Sequence, residues 1–246
     1  MRGRASYVMI SLLLLTVYPR AETTCVDAAL LAHSTVSITR YFDDAERAAQ
    51  AGLISIQGTG WFESPTTIVT IEHVATAMGL STQDWKLLNI NDGVDRQSVS
   101  VRIQRLIGGG YEKLAVLKLQ SAISGVRSVA IRMSPLTPED RVVTLAYPNR
   151  QQRSVTGRFV QYVDDGRLAG SALLEIYDED NRLVIDHGSS GAPVFDCNGR
   201  IAAVISTIIT QILPTPFGDK RVSTAWGTPN VVSVPVQQLM EFHEAR

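Results

Sequence analysis

The residue types best suited to chemistry cluster in Asp186-His187-Gly188-Ser189-Ser190-Gly191-Ala192-Pro193-Val194-Phe195. A serine flanked by glycines can sit on a tight turn whose backbone N–H groups converge on one point, the geometry that stabilises a developing oxyanion. Ser190 is the candidate nucleophile. The same letters also fit an ordinary Gly/Ser turn ahead of a strand. An α/β-hydrolase elbow is not assigned, because Ala192 stands where its second glycine belongs. A serine hydroxyl attacks near neutral pH only with a neighbouring base, and His73 offers one. It follows the β-like run Ile68-Val69-Thr70-Ile71, where a strand end would hold the imidazole in one orientation. Alone, such a histidine is more often a surface or satisfied core residue; with Gly-Ser-Ser-Gly downstream it becomes a candidate general base.

Short β-rich runs punctuated by Gly, Pro, Asn and Asp must position these groups. They include Ile68 to Ile71, Val99 to Ile107, Leu114 to Leu119, Val142 to Leu145, Leu173 to Tyr177, Ala192 to Phe195 and Ile201 to Ser206. The spacing predicts barrels or sandwiches. Two segments read as helical. Asp43 to Leu53 is rich in Ala, Glu and Arg and looks like an insertion between the first strands; Val236, Leu239, Met240 and His243 share a helical face after Pro235. The polar stretch from Ser121 to Pro138 divides two halves, giving domains at 34–120 and 136–246.

The chain is 45% hydrophobic and 19% charged, with a formal net charge of -1. That excludes a disordered acidic or basic tail and a polytopic membrane protein, and it leaves no basic footprint for nucleic acid. Residues 1–21 read as a secretory signal peptide. Arg2 and Arg4 precede an apolar run from Tyr7 to Tyr18 that is too short for a stable membrane anchor. The expected location is periplasmic or extracellular. Export permits Cys25 and Cys197 to pair, closing a loop of about 170 residues worth roughly 4 to 5 kcal/mol on a chain-entropy account. Two free thiols are the alternative. Nothing in the sequence demands an oligomer, so a monomer is expected.

Taken together, these segments resemble the trypsin-like, chymotrypsin-fold serine peptidases, in particular secreted bacterial enzymes of HtrA or glutamyl-endopeptidase type. Gly58-Thr59-Gly60-Trp61-Phe62 resembles the family's Gly-Ser/Thr-Gly-aromatic strand, and Thr70-Ile71-Glu72-His73-Val74 its Thr-Ala-Ala-His signature. Leu114-Ala115-Val116-Leu117-Lys118-Leu119 resembles the strand after the triad aspartate, and Gly188-Ser189-Ser190-Gly191-Ala192-Pro193 the nucleophile signature. The resemblance implies two six-stranded antiparallel β-barrels and a short C-terminal helix. It implies His73 as base, Ser190 as nucleophile, and an oxyanion hole from the amides of Gly188 and Ser190. A polypeptide is the implied substrate, with no metal or organic cofactor. The primary pocket would lie between residues 183–187, including Val184 and His187, and the strand carrying Ala203, Val204 and Ile205. These residues favour small or medium apolar side chains over basic ones. About 225 residues remain after the signal peptide, which suits two barrels without the appended peptide-binding domain of HtrA proteins.

The departures bear on activity. Lys113 occupies the position where the family places the aspartate that orients the histidine, and Glu112 lies one residue earlier. A one-residue shift along a strand reverses side-chain direction, so Glu112 can serve only if the chain around Gly108-Gly109-Gly110 re-aims it. Lys113 would then point away from His73, since an ammonium there disfavours imidazolium. If no acid reaches His73, the alternative is a catalytically impaired pseudoprotease acting as a binding protein. Glu72 in a normally small position, and alanines at 192 and 203 for glycines, are expected to be tolerated.

Overall fold

The computed structural model describes residues 25–93, 95–177, 185, 187–215, 218–223 and 228–239. The signal-peptide residues 1–21, Val184 and the end of the terminal helical pattern, Met240 and His243, lie outside them. Short helix α1 (Ala28–Leu31) leads into β1 (Thr35–Tyr41), α2 (Asp44–Ala49), β2 (Ser55–Ser64), β3 (Thr67–Ile71), α3 (Glu72–Ala77), β4 (Lys86–Asn91), β5 (Arg96–Ile107) and β6 (Leu114–Leu119). The second half comprises β7 (Arg141–Ala146), β8 (Arg153–Tyr162), β9 (Ala172–Ile176), β10 (Pro193–Asp196), β11 (Ile201–Ile208), the hairpin β12 (Thr210–Thr215) and β13 (Gly218–Ser223), and β14 (Val231–Pro235). A 3-10 turn spans Val236–Leu239. Among the described residues no helix is long and apolar enough to cross a membrane.

Two closed antiparallel barrels result, ordered β1-β2-β3-β6-β5-β4 and β10-β11-β14-β9-β8-β7. Closure removes the exposed edges that an open sheet leaves. Period-2 burial follows: Val99, Val101, Ile103 and Ile107 of β5 are buried while residues between them are not. The same alternation docks the barrels. On β7, Val142 and Ala146 face the second barrel's core, whereas Val143 and Leu145 join the cluster containing Trp61, Phe62 and Ile68 of the first. β10 repeats the device, with Val194 turned inward and Phe195 in the shared cluster. A strand apolar on both faces therefore serves as wall and interface at once.

Two local outcomes differ from expectation. Helix α2 occupies only part of Asp43 to Leu53, started by a capping box between Asp43 and Glu46. His73 lies not on a strand end but in the first turn of α3. The strand stops at Ile71, which supplies the extended N-cap, because Glu72, Ala75 and Ala77 are better helix than strand formers. The imidazole is thus fixed by a strand-to-helix junction.

Candidate active site

β5 ends at Ile107 and β6 begins at Leu114, leaving residues 108–113 outside any strand. Gly108 adopts φ 109°, a left-handed conformation that β-branched and bulky residues avoid. The amide of Tyr111 donates to Ala169 O of the second barrel at 2.8 Å. Freed from strand alternation and pinned across the interface, this loop turns Glu112 toward His73. Glu112 Oε1 accepts from the His73 backbone amide at 3.0 Å and lies 2.6 Å from His73 Nδ1. Ser206 Oγ donates to Glu112 Oε2. Lys113 Nζ instead lies 3.6 Å from Glu72 Oε1, so the two unusual residues answer each other away from the imidazole.

Burial works against ionisation of Glu112 and is the strongest single influence on it. Hydrogen bonds from the His73 ring and Ser206, the charge of His73 and its backbone N–H together outweigh burial and hold the carboxyl below its ordinary value. An ionised carboxylate only accepts hydrogen bonds. Nδ1 of His73 then donates to it.

The nucleophile loop is held from the first barrel. Gly188 and Gly191 take φ 96° and 89°. A Cβ on Gly191 would strike Thr59 O and Thr70 Oγ1, so only glycine fits there. Thr59 on β2 binds this loop twice: its amide donates to Ser190 O at 2.8 Å and its hydroxyl to Gly188 O at 2.6 Å. The same hydroxyl accepts from the amide of Tyr147 at 3.1 Å, while Gln57 Nε2 donates to Tyr147 O at 2.7 Å. Tyr147 itself is buried, which raises its phenol's pKa, with the charge of Asp92 adding to the effect. Among the described residues, the amides of Gly188 and Ser190 donate to no protein acceptor. Ser190 Oγ donates to Ser206 O at 2.9 Å. Ser206 therefore touches both the carboxylate and the candidate nucleophile.

Of the residues expected at the site, His73 bonds Glu112, and Ser206 links Glu112 to Ser190. Ala203, Val204 and Ile205 are fully buried in β11, with Ile205 tied through its backbone to Gly191 and Ala192. The exposed part of that strand begins beyond them, at Thr207. His187 is exposed, and its carbonyl accepts from the amide of Asn149 at 3.2 Å. Two contributors escaped the sequence reading, Ser206 and the hydroxyl of Thr59. Thr59 sits inside a motif already noted; Ser206 has only its place within an apolar strand, 16 residues after Ser190.

A family model described as trypsin-like peptidase domain matches residues 58–204. Comparison with curated proteins finds no match. Among solved structures, the active form of the Rv3671c protease of M. tuberculosis superposes with a TM-score of 0.58 at 13% identity, over 87% of this chain and 81% of that one. The serine endoprotease of Yersinia pestis gives 0.54 at 17%, over 87% and 62%. The HtrA-type protease AlgW, with a tripeptide, gives 0.55 at 15%, over 87% and 60%. At these identities the structural likeness speaks for the shared fold.

Proposed function

This chain belongs to the trypsin-like peptidase family, and from that premise we propose that it is a serine endopeptidase acting through a Ser190 acyl-enzyme. The observation that carries the reading is the carboxylate of Glu112 on His73 Nδ1, which answers the apparent loss of the triad acid at Lys113. In the proposed cycle Ser190 Oγ leaves its bond to Ser206 O by rotating about χ1 and attacks the scissile carbonyl. His73 Nε2 takes the hydroxyl proton and returns it to the leaving amine. The amides of Gly188 and Ser190 receive the carbonyl oxygen as it becomes an oxyanion. Water, deprotonated by the same nitrogen, then cleaves the ester and restores Ser190. Glu112 keeps the imidazole in one tautomer and stabilises its cation.

Export belongs to the same proposal. The apolar run near the N-terminus and the disulfide between Cys25 and Cys197 both suit an oxidising compartment. The alternative, an impaired protease acting as a binding protein, rests on Lys113; the pairing of Lys113 with Glu72 and of Glu112 with His73 favours the active reading over it. Labelling with a fluorophosphonate tests the proposal. Wild type is expected to label at Ser190, and Ser190→Ala is expected to abolish both labelling and peptide hydrolysis. An intact wild-type chain that neither labels nor cleaves any peptide overturns it.

A further inference from the structure

The outer face of the first barrel carries a second polar cleft, lined by neither His73 nor Ser190. A cleft of about 60 Å³ is lined by Ser37, Thr39 and Tyr41 of β1, Asn89 and Asn91 of β4, Arg96 of β5, and Arg150 from the 3-10 turn Pro148–Arg150 of the other barrel. Strand register builds it: Ser37 pairs with Asn91, Thr39 with Asn89, and Asn91 with Arg96, which puts their side chains on one face. No carboxylate lines the cleft.

Its floor and walls present donors in excess. Ser37 and Thr39 are 4% and 6% exposed, and among the described residues their hydroxyls have no hydrogen-bond partner. Both residues line the cleft, so their hydroxyls are free to bond what enters it. The Asn91 carbonyl accepts from the Gly93 amide at 2.9 Å and that of Asn89 from Ser98 Oγ at 2.6 Å. Both side-chain amides therefore have N–H groups left to give. Arg150 lies over the Tyr41 ring and donates to Ser55 Oγ at 3.2 Å. Among the described residues neither Arg96 nor Arg150 has a carboxylate partner. Two unneutralised guanidinium groups, two amides and two hydroxyls around a space larger than one water make an oxyanion receptor.

We propose that this cleft binds an oxyanion group, the carboxylate of an acidic peptide side chain or a phosphate, between Arg96 and Arg150 over the hydroxyls of Ser37 and Thr39. The site adjoins the catalytic loop. Arg150 closes a turn whose Asn149 amide donates to His187 O, one residue before Gly188. An anion held on Arg150 therefore braces the turn that leans on the oxyanion loop.

The test is binding, which needs no turnover and so stands or falls apart from the peptidase reading. Full-length protein carrying Ser190→Ala is titrated with inorganic phosphate and, separately, with a short blocked peptide containing adjacent glutamates, followed by calorimetry at low salt. Saturable binding of either ligand is expected, weakening as salt is raised. Arg96→Gln, an exposed position outside the catalytic machinery, is expected to weaken it roughly tenfold or more, and Thr39→Val by several-fold. Preference for the peptide identifies a carboxylate ligand, and preference for phosphate a phosphate ligand. Absence of saturable binding by both, or binding unchanged in a folded Arg96→Gln protein, overturns the proposal.

Discussion

The two barrels contribute to the site in opposite ways. The first delivers His73 already engaged, its ring and its backbone both bonded to Glu112. The second delivers Ser190 with its hydroxyl turned to Ser206 O, while the loop around it is restrained by Thr59 of the first barrel. In the proposed cycle the base would be set before substrate arrives, while the nucleophile would first have to leave Ser206 O. Orientation of the base draws on short contacts from rigid junctions, whereas the nucleophile needs freedom to leave the resting state.

The comparison breaks most completely at the reacting atoms. Ser190→Ala or His73→Ala is expected to lower kcat by about 10⁶-fold, measured by single-turnover hydrolysis. Glu112→Gln tests the set base: kcat should fall between about 10²- and 10⁴-fold with KM little changed, since the wrong tautomer becomes available. Kinetics unchanged in that variant would remove Glu112 from the mechanism. Thr59→Val keeps the shape and removes the hydroxyl, so kcat should drop roughly tenfold as the Gly188 peptide loses its anchor, with Thr59→Ser restoring it. Loss in both variants would mean that bulk rather than the hydroxyl matters.

Glu112 also links the site to folding. Its folded-state pKa is lower than the ordinary 4.5, so the stability it contributes is present above that value and fades as pH falls through the lowered pKa. Denaturant titrations of wild type and Glu112→Gln should therefore differ most near neutrality and converge in acid. The smallest effect is expected at the surface pair: Lys113→Ala should leave activity within about twofold and stability within roughly 0.5 kcal/mol, because an exposed ion pair is worth little.

Much of this was legible in the letters. The β6 boundaries, Leu114 to Leu119, coincide with the apolar run that announces them; strand spacing announced barrels or sandwiches, and the family resemblance narrowed these to the two barrels observed. Glu112 was readable as the candidate partner of His73 on condition that the loop at Gly108 to Gly110 re-aims it, and that condition depends on a contact no local pattern reveals, the docking of Tyr111 on Ala169. The placement of His73 at a strand end failed, since helix propensity after Ile71 won over the preceding β pattern. Ser206 was invisible: a serine within β11 becomes a partner of Glu112 and Ser190 only once that strand crosses beside the loop before β6. Ala203 and Ile205 pack in the second barrel's core and Val204 in the cluster that joins the two barrels, a division that the uniform apolar run 203–205 does not reveal.

The disulfide from Cys25 to Cys197 has a topological consequence. It starts ahead of the first barrel and ends just after β10 of the second, with a sequence separation of 172. Everything between, including the connection from β6 to β7, belongs to a covalent ring. A single backbone cut anywhere in that ring opens it without releasing either barrel. Nicked chains would run at full mass until reduced and then fall into two pieces, so the molecule can survive clipping of its own connector with both halves of its site still tethered.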